Sequence, residues 1–467
     1  MNRLRTLTSL AALVAMLLAG CGAGDSERRS RPVGSAVWVD PRVATVSPAA
    51  ARSLRTAGVD EVFLAAADLA AGAEGFTVET WARELPGAVP RRTPTTLVVL
   101  GEWPPPIDLD AARTAETLDR SLAGLREASE DAGLLPVGIH LHLVPHAAHA
   151  PAGAEDPRLE LLAELVLQVR AGLPEDLFLS VSLVREWLGA PGAEAVAGSA
   201  DFLVPFLYGQ PPGALDRAED WDPERTEEDL ARAEALGADY LLGLRTIGSA
   251  SRLDASGDVI DATTRASLAE MAGNRALRRN LGDAFGGVGR LAYAFQAQRR
   301  TRVGAWDVAP GEAVRVVRTA PALLYDLRRR AREAASERLL GLLFHRLPDP
   351  AEEALSPGAE GLATVFGDEP PAPDIHARLV IRSLRGQTAV LGVSLQNRSS
   401  LSTDLALGDG NYLSVRTEGA VVERVDPGRF ARYSLWRDDQ EVRPGIGWRE
   451  PDQVRLYTPV VTGDATI

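Results

Sequence analysis

From Ser35 onward, short runs rich in Val, Leu, Ile and Phe alternate with longer stretches whose apolar residues recur every three to four positions. The short runs are Ala36–Asp40, Glu61–Ala66, Thr96–Gly101, Val137–Leu143, Leu177–Leu183, Phe202–Leu207, Tyr240–Leu244 and Leu339–Phe344. Several are nearly continuous apolar segments, as parallel strands covered on both faces require. The gaps read as amphipathic helices. Pro48–Ala57 has Ser47 as its N-cap and Pro48 at its first position, and Ala111–Ala132 carries Leu118, Leu122 and Leu125 on one face with Gly133 after its end. Leu159–Ala171, Glu227–Leu236 and Ala322–Ala335 follow the same pattern. Eight strands alternating with helices predict an α/β fold, a (β/α)8 TIM-like barrel, over residues 35–364. The rival is an open doubly wound sheet. No Gly-rich phosphate turn follows the first strand, which disfavours the nucleotide-binding form of that rival.

The seventh crossover, Arg245 to Arg338, is long for a compact domain and marks an insertion at about 285–320. Within it Arg290–Thr319 alternates as two strands around a turn at Pro310-Gly311. Val365–Pro373 is a Pro-rich linker. Beyond it the runs Ala377–Arg382, Thr388–Gln396, Tyr412–Arg416, Ala420–Val425, Arg429–Trp436 and Val454–Thr458 alternate. They predict a small all-β, immunoglobulin-like sandwich over 374–467, read either as a spacer or as a glycan-binding module.

Composition narrows the chemistry. The chain has 467 residues and one cysteine, so no intramolecular disulfide and no cysteine-based zinc site is available. It has no lysine, which excludes Schiff-base and P-loop lysine chemistry. A net charge of −14 argues against a nucleic-acid partner. No pattern calls for a cofactor, and none is expected.

The N-terminus carries an address. Arg3 and Arg5 precede a mostly apolar stretch, Leu7–Leu18, too short for a stop-transfer helix and suited to a signal-peptide core. Leu18-Ala19-Gly20-Cys21 resembles the lipobox of bacterial lipoproteins. The resemblance implies cleavage before Cys21 and acylation of Cys21, with the bacterial membrane as partner through the acyl chains. It implies a cell-envelope location. Gly22, in place of a retention aspartate, favours the outer over the inner membrane. Cleavage would leave 48 basic and 64 acidic side chains, a charge of −16. Residues 21–34 read as a flexible tether.

In barrels of this kind the working residues lie at the C-terminal strand ends. Those ends carry Asp40, Asp68, Glu102, Trp103, His140, His142, Glu186, Trp187, Tyr208, Gln210, Arg245 and His345. Acids beside tryptophans suit sugars, because the ring packs on indole while carboxyls handle protons. Glu186, Glu102 and Asp40 are the catalytic candidates, with Glu102 and Glu186 the best pair. His140, His142, Trp103, Trp187, Tyr208, Gln210, Arg245 and His345 are candidates for substrate contact. His140 and His142 share one face of a strand and permit a metal-dependent hydrolase as an alternative. The supporting ligands are poor, and the preferred reading is of neutral, hydrogen-bonded imidazoles and no metal. A structural or interaction lipoprotein is the third reading.

The fourth strand, Val137-Gly138-Ile139-His140-Leu141-His142-Leu143-Val144, resembles the D-G-x-D-x-D-x-E motif of chitinase-type glycoside hydrolases in its glycine and apolar frame. Val137, His140 and His142 stand where that family has aspartates, and Val144 stands where it has its catalytic acid. Pro205-Phe206-Leu207-Tyr208 is similar to a sixth strand ending in an active-site tyrosine, with Gly209 in place of the usual aspartate. The insertion after strand seven falls where many of those enzymes carry one. The chain is also similar to a bacterial family of lipoprotein barrels of unknown function. The resemblance implies a glycan-interacting barrel that is inactive or altered in mechanism, since valine donates no proton.

Overall fold

The computed structural model describes residues 34–72, 75–103, 111–145, 156–206, 223–267, 270–271, 274–280, 292–317, 319–349, 352, 355–399, 412–428, 430, 432–438, 440–443 and 450–457. Cys21 and the leader and tether, His146, His149, Tyr208 and Gln210 lie outside the described residues, as do the side chains of Glu102 and Trp103.

Eight parallel strands close into a barrel. They are β1 (Ser35–Val39), β2 (Val59–Gly72), β4 (Pro94–Trp103), β5 (Leu135–Pro145), β6 (Phe178–Val184), β7 (Phe202–Phe206), β8 (Tyr240–Arg245) and β16 (Leu339–His345). Closure comes from β1, which pairs with β16 on one side and with β2 on the other. Each expected strand run falls on one of these strands. An additional strand, β3 (Gly75–Thr80), pairs antiparallel with the long tail of β2.

Helices α1 (Pro48–Thr56), α2 (Ala111–Asp131), α3 (Pro157–Gly172), α4 (Ala193–Ser199), α5 (Pro223–Ala235), α6 (Pro321–Ala334) and α7 (Ala359–Thr364) cover the barrel. Ser47 Oγ accepts from Ala50 N at 3.1 Å and Pro48 opens α1, as the cap signals require. Among the described residues no helix is long and apolar enough to cross a membrane.

Odd and even strand positions sort into two cores. Leu97, Val99, Ile139, Leu141, Leu179 and Val181 face the helices. Trp38, Phe63, Val98, Phe202, Val204 and Phe206 fill the barrel interior. A filled interior is normal for eight strands. Gly243 makes room for it, because a Cβ there would stand 2.5 Å from the Phe206 ring.

The segment after β8 forms a five-stranded antiparallel sheet in the order β10-β9-β15-β12-β11. Its strands are β9 (Ser249–Leu253), β10 (Val259–Thr263), β11 (Leu277–Asn280), β12 (Ala292–Ala297) and β15 (Ala313–Val317), with a separate hairpin of β13 (Thr301–Val303) and β14 (Trp306–Val308). The turn at Pro310-Gly311 is present, with Gly311 at φ 89°.

A buried polar clamp ties this sheet to the loop after β16. Glu352, 2% exposed, accepts from both Arg346 Nη atoms at 2.8 and 2.9 Å and from Thr264 Oγ1 at 2.6 Å. Arg265 pairs with buried Asp349.

The C-terminal region holds two sheets. One is the hairpin β17 (Ile375–Arg385) and β18 (Thr388–Asn397). The other is β19 (Tyr412–Arg416), β22 (Gln453–Tyr457), β20 (Arg432–Arg437) and β21 (Gln440–Val442), in that order. Leu395, Phe430, Leu435, Val454 and Leu456 form their small core. The strand expected at Ala420–Val425 is not formed. The segment is coil, tied by Val422 N to Pro451 O at 2.8 Å.

Candidate functional site

The alternation of β5 and β6 builds the centre of the site. In Gly138-Ile139-His140-Leu141-His142 every second side chain turns inward, and the same holds for Phe178-Leu179-Ser180-Val181-Ser182 beside it. His140 is fully buried, with Nδ1 2.9 Å from Ser180 Oγ and Nε2 2.8 Å from Ser182 Oγ. The same Ser182 Oγ lies 2.7 Å from His142 Nδ1. A hydroxyl has one proton, so Ser182 donates to at most one of the two imidazoles and accepts from the other. The tautomers of His140 and His142 are thereby coupled.

Around this network stand aromatic rings from strands far apart in sequence. Trp38 meets His142 edge-on at 5.0 Å and His345 at 4.7 Å between centroids. Phe206 meets the same two imidazoles at 5.2 and 5.3 Å. His345, half-buried at the end of β16, stacks on His142 at 5.8 Å. Burial pushes His142 down to about 3 from the usual 6.5. Burial, reinforced by His142, Arg346 and Arg245, holds His345 well below its usual value. Both are neutral at neutral pH. Arg245, 4% exposed, donates from Nε to Ile247 O at 2.8 Å.

The described carboxylate candidates sit elsewhere. Asp40 accepts from Arg42 Nε at 3.1 Å, Nη2 at 3.0 Å and the Arg42 backbone N at 3.0 Å. Arg42 also reaches Asp68 Oδ2 at 3.2 Å and lies 3.5 Å over the Trp81 ring. Burial raises the Asp68 carboxyl, partly offset by Arg42. Asp40, just past β1, and Asp68, within β2, thus form one ion-paired group around Arg42.

Glu186 is exposed on the helical turn Arg185–Trp187 that leaves β6, and no hydrogen bond or ion pair links it to the imidazoles. Its neighbours point inward instead. Arg185 pairs with Asp229, both buried, and Trp187 is fully buried with Nε1 donating to Asp156 Oδ2 at 2.8 Å. The expectation of Trp187 as a sugar platform does not fit this position, because the indole packs under α3 where Asp156 is the N-cap.

Metal ligation fares no better. Both nitrogens of His140 are engaged by serines, and among the described residues no cluster of three His, Cys, Asp or Glu has the geometry to hold an ion. Trp38, Ser180, Ser182 and Phe206 complete the cluster and were not among the expected site residues. The Leu-Ser-Val-Ser-Leu alternation beside His-Leu-His was the available signal for the two serines. A groove of about 680 Å³ lies against the flank, lined by Val46, Pro48, Pro86, Val89, Ala128 and Asp131. It contains none of the candidate residues.

No protein-family model matches the chain, and no curated protein sequence matches it. Solved structures do. The spore cortex-lytic enzyme SleL of Bacillus cereus is similar at 15% identity and TM-score 0.40, over 72% of this chain and 74% of that one. A chitinase from Chromobacterium violaceum is similar at 14% identity and TM-score 0.40, over 71% of this chain and 98% of that one. A chitinase from Bacillus thuringiensis is similar at 10% identity and TM-score 0.44, over 92% and 80%. The likeness is one of fold.

Proposed function

We propose that this chain is a membrane-anchored, glycan-interacting barrel protein that does not use the acid chemistry of chitinases. The observation that carries the reading is the strand β5. Its inward positions hold His140 and His142 in a neutral imidazole–serine network, and Val144, buried against the helix-side core, stands where the motif has its acid. Neither imidazole is poised to protonate a glycosidic oxygen, since both are hydroxyl-bonded in the interior and His142 titrates near 3. The half-buried His345, over Trp38 and Phe206, is the most exposed imidazole of the cluster. The C-terminal strands serve as an immunoglobulin-like spacer, and acylated Cys21 holds the protein in the cell envelope, in the outer membrane.

A second reading is a structural or interaction lipoprotein whose barrel admits no small molecule. It is favoured by the filled interior, where Trp38 is 2% exposed and Phe206 is fully buried.

Titration calorimetry and reducing-end assays with N-acetylhexosamine oligomers and peptidoglycan fragments test both. Binding without turnover, weakened by His345→Ala, is the expected result. Turnover abolished by Glu102→Gln or Glu186→Gln would refute the non-hydrolytic reading. Absence of binding to every glycan would leave the interaction reading. For the anchor, incorporation of labelled palmitate that disappears in Cys21→Ala is expected, and incorporation that persists in that variant would refute it.

A further inference from the structure

The hairpin β17–β18 is a two-stranded sheet paired with no other strand among the described residues. Its register assigns the faces. Leu379 opposes Val393, Ile381 opposes Leu391, and beyond a bulge Leu384 opposes Ala389. These residues share one face with Ala377 and Leu395, and from that pair to the turn the face has no polar side chain. Its base is covered, because Val393 and Leu395 join the core of the neighbouring sheet. Its outer half is bare: Leu379 is 56% exposed, Ile381 67%, Leu384 69% and Leu391 39%. The tip closes tightly between Arg385 and Thr388, with Gly386 at φ 60°.

The opposite face is basic. Arg378, Arg382 and Arg385 alternate with the apolar residues, and residues 375–397 contain no Asp or Glu. In a chain of net charge −14 this stretch carries +3. The three arginines make no ion pair with any described carboxylate; Asp374, at the base of the hairpin, pairs with His376 at 3.0 Å.

We propose that this hairpin docks on an anionic lipid surface. The apolar face rests at the acyl boundary and the arginines bind headgroup phosphates. An amphipathic element with aliphatic residues below and arginines above lies in the headgroup layer, where both terms favour it. Arginine, unlike lysine, binds phosphate bidentately through its planar fork. The charge of +3 and the absence of any Asp or Glu over residues 375–397 favour an anionic surface as the occupant. A second copy of the chain, packed on the apolar face with its arginines outward, is an outcome the test distinguishes. The docking surface does not depend on acylation of Cys21; it would orient a chain held there and bind one that is not.

The test is co-sedimentation of the full chain with vesicles, Cys21→Ala being present in every arm so that acyl chains contribute nothing. Vesicles of phosphatidylcholine with phosphatidylglycerol should bind the parent, and phosphatidylcholine alone should bind it far more weakly. Arg382→Gln and Arg385→Gln should each weaken binding about 5-fold, and added salt should do the same. Leu384→Asp should weaken it at least about 10-fold, while near-ultraviolet circular dichroism shows the fold unchanged. Equal binding by parent and variants, or binding indifferent to lipid charge, would overturn the proposal. So would a dimer in sedimentation velocity that Leu384→Asp dissociates without any vesicle binding by the parent, which would assign the face to a second copy. Soluble phosphate glycans that bind the hairpin as tightly as the vesicles would overturn it as well.

Discussion

His142 and His345 stack at the end of the barrel with their ring centroids 5.8 Å apart and their planes 25° apart. They arrive from β5 and β16, which are not neighbours in the sheet. Two imidazoles this close exclude double protonation, and burial already disfavours a single charge on either.

Stability should therefore fall with acid. His142 is held at about 3 and His345 well below 6.5 in the folded protein. In the unfolded chain both titrate near 6.5, so below that pH the unfolded state binds more protons and is favoured. The stabilising contribution is complete above pH ~6.5 and is lost progressively as the pH falls toward the folded values, by about 1.4 kcal/mol per pH unit for each histidine. Guanidinium unfolding at a series of pH values measures the slope. His142→Asn should remove its share, and an unchanged slope would show that other groups carry the acid sensitivity.

Ser182 and Ser180 should not be equivalent. Ser182 Oγ serves two imidazoles and Ser180 Oγ one, at Nδ1 of His140. Ser182→Ala leaves two buried ring nitrogens without this partner and should cost about 2–4 kcal/mol, against about 1–2 kcal/mol for Ser180→Ala. Chemical denaturation of the two variants gives the order, and a reversed order would contradict the shared-hydroxyl arrangement.

The ion pair between Arg185 and Asp229 is buried on both sides, with side-chain exposures of 4% and 1%. Arg185→Ala removes the shorter of two arginine contacts to a buried carboxylate, Arg232 Nη1 remaining 3.4 Å from Asp229 Oδ1, and should destabilise by about 2–3 kcal/mol. The double replacement Arg185→Met with Asp229→Leu should recover most of that loss. Recovery no better than the sum of the single variants would mean that the charges themselves stabilise the barrel. Glu186→Gln, one residue away but exposed, should change stability by less than about 0.5 kcal/mol.

Glu352 holds the insertion to the barrel through Arg346 and Thr264. Glu352→Gln halves its charge-assisted bonds and should loosen that contact before it unfolds the barrel. Hydrogen exchange should rise first in β9 and β10, with β5 and β6 remaining protected. Uniform deprotection of all four strands would show one cooperative unit instead.

The barrel was legible because parallel strands need unbroken apolar runs, and the eight runs have them. The insertion was only half legible. Ser249–Leu253 forms β9 through register with β15, and Val259–Thr263 forms β10 through register with β9, yet their small and polar residues carry no alternation to read. Val421, Val422 and Val425 are β-branched and still form no strand, because propensity without a pairing partner does not order a backbone. At the site, His140, His142 and His345 were found because strand ends can be counted. Trp187 misled for the opposite reason. An indole at a strand end looks like a ligand platform, and only the distant N-cap Asp156, 31 residues away, shows that its N–H is committed inside. The role of Trp38 depended on which strands meet across the barrel, which no local pattern records.

The closure of β1 against β16 sets the order in which this protein acquires its structure. Ser35 Oγ accepts from Leu342 N across 307 residues of chain, and Ala36 is in register with Leu343. Until the last barrel strand exists, β1 and β8 each present an unpaired edge, and the imidazole cluster lacks His345. Joining ends so far apart carries a loop-closure entropy that local contacts do not offset, so sealing the barrel is expected to be the slow event. The insertion sheet pairs residues from 249 to 317 with one another. It can assemble earlier, leaving the first and last barrel strands to meet around a part already folded.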